Sequence, residues 1–238
     1  MFLQLKNLQW LLFCLSLLIF ALGISWQINR SVNFTYPIWY QALDISAHIK
    51  TYAPQNKYNK QDFVFTSEQQ HLELFAEVVD EIHNQGVGLE NISYKTPAGK
   101  VKTLFTQAEV IHLQDVANLI DSLTIVWLLN LLPLSFLSYS YKVKNTQAPN
   151  NKTKVAVLIT AILSVVIAFA IFGFKSIFYW FHTVIFPDNH QWFFYYQESL
   201  MSTFMKAPDL FGAIAGVIFL VMLPIYYFSY IVVVKNRK

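Results

Sequence analysis

The sequence predicts a mainly α, polytopic membrane protein, with four transmembrane helices and an extracellular α-rich domain carrying a short β-hairpin. Three observations predict it. The 238 residues are 55% hydrophobic and only 13% charged, with a mean hydropathy of +0.40, too greasy for a water-soluble globule of this size. Four stretches are long and apolar enough to cross a bilayer, which takes about 20 residues of helix. Between the first two lies a polar stretch, residues 28–118, with helix caps and turn signals of its own. The 21 Phe, 13 Tyr and 6 Trp suit a chain with many positions at a bilayer interface.

The first membrane helix is read over residues 1–27. Its apolar run is longer than an ordinary signal core and no clear small-x-small site follows, so a retained anchor is expected. Cleavage near Ala21–Gly23 is the competing reading. In the extracellular domain, 28–118, Pro37 opens a helix that runs on through Trp39, Leu43 and Ala47. Ser67 followed by Gln70 is a capping-box signature. It starts a helix with Leu72, Phe75, Val78, Val79 and Ile82 at helical spacing, closed by Gly86 and Gly88. Glu73, Glu77, Asp80 and Glu81 read as the solvated face of that helix. The stretch ISYKTPAGKVKTLF alternates around a Pro-Ala-Gly turn, a hairpin pattern.

Thr106 then supplies an N-cap with Glu109 three residues on, a second capping box. Nothing breaks a helix from there to Pro133, and a proline is tolerated within a membrane helix. The helix therefore leads directly into the second span, 119–141, and His112 sits on an extension of it. At about 1.5 Å rise per residue this is on the order of 15 Å beyond Ser122, at headgroup height. A basic cytoplasmic loop (142–154), a third span (155–178), an extracellular segment (179–210) and a fourth span with its tail (211–238) complete the chain.

Charge placement sets the direction. Lys6, Lys142, Lys144, Lys152, Lys154, Lys235, Arg237 and Lys238 fall in three segments without an acid. The rest of the chain holds the other nine basic residues and all 14 acids. Under the positive-inside rule both termini and the 142–154 loop face the cytoplasm. The basic residues thus report topology, and no nucleic-acid patch is expected. The single cysteine, Cys14, lies in an apolar run, which leaves neither a disulfide framework nor a cysteine metal site. No G-x-S-x-G elbow, H-E-x-x-H pair, Walker loop or dinucleotide fingerprint occurs.

What remains as candidate chemistry is Glu109, His112 and Asp115 in FTQAEVIHLQDVANLI, and His182 in YWFHTVIFPDNHQWFF. The spacing i, i+3, i+6 places the two carboxylates on the turns either side of His112. Glu109 reads as the capping-box partner. Asp115 reads equally as an exposed helix residue or as a carboxylate orienting His112. His182 lies just past the outer end of the third span; a lone histidine among aromatics is usually interfacial, but two at similar depth suit proton transfer. His48, His71, His83 and His190 fit surface or loop positions. A zinc site from Glu109, His112, Asp115 and His182 is the weaker alternative, since a single E-x-x-H arises often by chance. A transporter is disfavoured because the span interiors hold no central ionisable residue. A non-enzymatic, partner-binding adaptor is the alternative from another class.

LFTQAEVIHLQDV and FHTVIFPDNHQWFF, separated by two spans and a basic loop, resemble the lipoprotein intramolecular transacylases of Gram-positive bacteria, integral membrane proteins of the cell membrane. The resemblance covers essentially the whole chain and is specific around His112 and His182. It implies that an ester-linked acyl chain moves from the diacylglyceryl group of a lipoprotein's N-terminal cysteine to that cysteine's own α-amino group, giving lyso-form lipoprotein. It implies His112 and His182 as the catalytic pair, supported by Glu109, Asp115 and Trp192, with no cofactor and no metal. The base role is assigned to His112 and the donor role to His182, with the reverse left open. The partners expected are diacylglyceryl-modified lipoproteins and membrane lipid; nothing in the sequence specifies an oligomeric state.

Overall fold

A computed structural model describes residues 2–144 and 146–234. The basic tail residues Lys235, Arg237 and Lys238, invoked for topology, lie outside the described residues. The chain is mostly helical, and among the described residues four helices are long and apolar enough to cross a membrane. Two compact units form. One takes the chain through Ile28, Leu123–Ile177 and the part from Val217 onward; the other takes Asn29–Ser122 and Phe178–Gly216.

The first unit is built from most of α1 (Phe2–Ser31), the part of α5 (Gln107–Lys142) from Leu123, the part of α6 (Asn151–Ile185) through Ile177 and the part of α8 (Asp209–Val234) from Val217. Trp10, Phe13 and Leu17 share one face of α1, at spacings of three and four, and pack on Leu137 and Tyr141 of α5. Between the same helices Ser16 Oγ donates to Asn130 Oδ1 (2.7 Å) and Asn130 Nδ2 donates to the Ser16 carbonyl (2.8 Å). A reciprocal polar pair of this kind fixes helix register inside an apolar medium, for about 1 kcal/mol or less per bond. Gly23 has a packing reason. A Cβ there would come within 2.2 Å of the Trp127 ring, whose indole N–H donates to the Phe20 carbonyl. Leu132, Phe136, Leu158, Phe172, Leu220 and Phe228 are exposed, as lipid-facing positions should be. In α6 the backbone leaves helical geometry at Gly173 (φ 70°, ψ 157°), a conformation that essentially only glycine adopts.

The second unit contains α2 (Tyr36–Ala42), α3 (Ile45–Tyr52), α4 (Glu68–Ile82), the hairpin β1 (Ser93–Lys95) and β2 (Val101–Thr103), and α7 (Leu200–Phe204). The hairpin is antiparallel with Tyr94 opposite Lys102, and Gly99 (φ 77°) turns it. Ser67 Oγ accepts the Gln70 N–H, and α4 buries Leu74, Phe75, Val78 and Val79. One expectation is corrected. The helix opened by Pro37 does not run through to Ala47. Asp44 adopts a left-handed conformation (φ 50°), ends α2 and caps α3 by accepting the Ala47 N–H. Asp tolerates that conformation better than most residues and is a strong N-cap. Tyr36 stacks on Phe75 (3.9 Å between centroids) and donates to the Phe204 carbonyl, so α7 is anchored in the same core.

His71, expected at a surface or loop position, is in this core. Its Nδ1 meets the Tyr40 hydroxyl (2.8 Å) and its Nε2 meets Thr66 Oγ1 (2.6 Å), which itself donates to the Phe63 carbonyl. Thr66 must therefore accept, so Nε2 carries the hydrogen, Nδ1 accepts from Tyr40, and neutral His71 is fully satisfied. Burial pushes its pKa from the usual 6.5 down to about 4. The folded value lies below the unfolded one. The stability contributed is thus complete above about pH 6.5 and is lost as pH falls toward 4. The thermal midpoint of the purified chain should fall across that window. His71→Phe should start lower at pH 7 but show a shallower acid slope; an unchanged slope would contradict the assignment. His48, likewise held near 4 by burial, and the other buried histidines supply the rest of the slope.

Candidate active site

The α5 N-terminus is set by its capping box. Glu109 Oε2 accepts from the Thr106 N–H (2.7 Å) and hydroxyl (2.8 Å), and Thr106 Oγ1 accepts the Glu109 N–H. The other carboxylate oxygen has a second task. Oε1 accepts from the Ser199 hydroxyl (2.7 Å) and the Met201 N–H (3.0 Å), at the start of α7. Glu109 is fully buried. A buried carboxylate is tolerable when its lone pairs are satisfied and a cation is near. Lys60, also buried, lies close enough to feel it and donates to the Leu104 carbonyl.

One turn on, His112 projects into an aromatic box. It faces Phe186 (5.0 Å between centroids), Phe194 (6.0 Å) and the His182 ring (6.0 Å). Both histidines are more than nine-tenths buried. His182 sits in the last turn of α6, past the apolar stretch that ends at Gly173, and the helix stops just before Pro187. It also touches Phe178, Phe181, Phe186 and Trp192, the last at 5.1 Å between centroids.

The two imidazoles differ in how they are held. His182 Nδ1 lies 2.7 Å from the Phe178 carbonyl. A carbonyl only accepts, so Nδ1 carries the hydrogen and neutral His182 presents Nε2 as an acceptor. Burial lowers its pKa, partly offset by that hydrogen bond. His112 Nδ1 is buried with no hydrogen-bond partner among the described residues. Burial, then the charge His182 would carry, push His112 down to about 4, while Asp115 pulls the other way. At neutral pH both rings are uncharged. An unpaired buried ring nitrogen costs on the order of 1–3 kcal/mol, so it marks a group positioned for something other than stability.

No hydrogen bond joins Asp115 to His112 among the described residues. Asp115 Oδ2 takes His190 Nδ1 at 2.7 Å, which ties the segment after α6 to α5. Glu109, His112, Asp115, His182 and Trp192 thus gather in one unit, but only His112, His182 and Trp192 share the box. The four groups of the zinc alternative do not converge, and among the described residues no three His, Cys, Asp or Glu side chains form a metal-holding set. The sequence reading missed Phe178, Phe186 and Phe194 as box walls, Ser199 and Met201 as partners of Glu109, and His190 as partner of Asp115. The aromatic run was visible, but nothing local showed which rings turn inward.

Comparison with known proteins follows this geometry. The family model described as lipoprotein intramolecular transacylase Lit matches residues 9–206. An in meso structure of the membrane integral lipoprotein intramolecular transacylase Lit from Bacillus cereus, a histidine-to-arginine variant, is similar in fold. Its TM-score is 0.60 at 14% identity, covering 96% of this chain and 90% of that one. No curated protein sequence matches significantly. With the family model spanning most of its length and four membrane-spanning helices in its fold, this chain belongs to the lipoprotein intramolecular transacylase family and is a multi-pass, membrane-bound acyltransferase.

Proposed function

We propose that the chain moves an ester-linked acyl group from the diacylglyceryl moiety of a lipoprotein's N-terminal cysteine to the α-amino group of the same cysteine. The amine nitrogen attacks the ester carbonyl, the carbon–oxygen bond to glycerol breaks, and the amine proton ends on the glycerol oxygen. An ester becomes an amide and lyso-form lipoprotein leaves. Atoms balance without a cofactor. Both reacting groups belong to one molecule, so the enzyme folds the substrate into a reactive conformer.

The observation that carries this reading is the pair of neutral, buried imidazoles facing each other, one with its Nδ1 hydrogen held by a carbonyl. An imidazole fixed at Nδ1 offers Nε2 as a general base, and His182 takes the proton from the α-amine, whose ordinary pKa is about 8. His112, held neutral by burial, donates an N–H to the developing oxyanion. This is the reverse assignment that the sequence leaves open beside His112 as base oriented by Asp115 or Glu109; it is favoured because Asp115 bonds His190 and Glu109 bonds Thr106, Ser199 and Met201. Trp192 packs against the base and limits its rotation. The test is mass spectrometry of lipoprotein N-termini from cells with and without the gene. An acyl chain on the amine only when the gene is present supports the reading. Identical N-termini would return the chain to the adaptor alternative.

The proposed orientation places both termini and the 142–154 loop in the cytoplasm. A reporter fused at Asn150 should read as cytoplasmic and one in the exposed hairpin turn at Gly99 as external. The same side for both would overturn the topology. Conversion should also survive exhaustive chelation, because imidazole proton transfer accounts for the reaction. Loss on chelation with recovery on adding Zn²⁺ would instead favour a metal.

A further inference from the structure

The first unit, which does not include the histidine box, contains a cavity of about 270 Å³ lined by Tyr141, Thr146, Gln147, Ala148, Lys154 and Val234. It lies where α5 ends at Lys142 and α6 begins at Asn151, the ends of two of the helices able to span a membrane. Asn150 fixes the start of α6 by accepting the Thr153 N–H (2.9 Å), which places Lys154 in the first turn. The Lys154 ammonium rests 6.0 Å from the Tyr230 ring centroid, and no carboxylate pairs with it among the described residues. None is near in sequence either. Between Asp121 and Asp188 the chain has no acid, while Lys142, Lys144 and Lys152 flank the same loop.

We propose that this cavity binds the phosphate of an anionic phospholipid headgroup. An unneutralised lysine, a threonine hydroxyl and a glutamine amide supply charge and donors for phosphate oxygens. Basic pockets at the ends of membrane helices suit anionic headgroups, which concentrate at that depth. The volume fits a phosphodiester and a small alcohol but not acyl chains, which stay in the bilayer. At the same end of α5, exposed Tyr139 and Val143 present apolar surface to those chains. A free phosphate ion shares the headgroup's chemistry but gains nothing from that flank.

The full chain, purified in micelles with equal amounts of phosphatidylglycerol and phosphatidylcholine, should retain the anionic lipid preferentially in native mass spectrometry. Lys154→Gln should cut that enrichment about 5-fold, the scale of one lysine beside an anionic headgroup. Lys154→Arg should keep it, as should Lys100→Gln in the exposed hairpin turn. An unchanged enrichment in a folded Lys154→Gln protein would overturn the site. So would loss of the lipid from the wild type on adding inorganic phosphate alone, which would assign the cavity to a free anion.

Discussion

His112→Ala and His182→Ala are each expected to abolish conversion of a diacylated lipoprotein to its N-acylated lyso form while the protein still accumulates in the membrane. Insertion rests on apolar helix length, and the long apolar stretches of α1, α5, α6 and α8 are untouched by either change. General acid–base groups contribute about 10²–10⁴ in rate, so each single mutant falls near background. The proposed roles make a finer distinction. His112→Gln keeps a side-chain N–H donor and should retain part of the activity, whereas His182→Gln has no basic nitrogen and should retain none. The double alanine mutant should be little worse than either single, since groups acting on one proton path are not additive. At matched enzyme levels, substantial activity in His182→Ala would remove it as the base. Activity in both alanine mutants would reduce the box to packing.

Much of the fold was legible because membrane spans are the strongest pattern a sequence carries. Backbone groups in lipid must bond within their own helix, so apolar length alone marks the four helices. The capping signatures at Ser67 and Thr106 and the Pro-Ala-Gly turn were equally plain, because each acts over three or four residues. What failed was the left-handed break at Asp44, which a helical apolar pattern does not reveal. In the candidate site, neighbours on one helix were clear but cross-chain partners were not. Asp115 is three residues from His112 and bonds His190, 75 positions away. Glu109 looked like a cap and is one. That its second oxygen holds Ser199 and Met201 depends on packing that no local pattern encodes.

That second attachment gives Glu109→Gln a large effect on stability rather than on chemistry. The carboxylate accepts from two donors on each oxygen, and a carboxamide must turn its NH₂ toward one pair. Hydroxyls of Thr106 or Ser199 can rotate to accept, but the backbone N–H of Thr106 or Met201 cannot. One buried N–H is left facing a donor, at about 1–3 kcal/mol. Lys60 also loses the neighbouring charge that partly offsets its burial, which raises the cost to roughly 2–4 kcal/mol. Thermal unfolding of the purified protein should show a clear drop in midpoint. Ser199→Ala, which removes one of the four bonds and the α7 cap, should show a smaller one. Below the lowered transition, activity per folded molecule should stay within a few-fold of wild type and keep its pH profile, because Glu109 faces Thr106 and α7 rather than the imidazoles. A loss of about 10²-fold or more with an unchanged midpoint would make Glu109 part of the proton path instead.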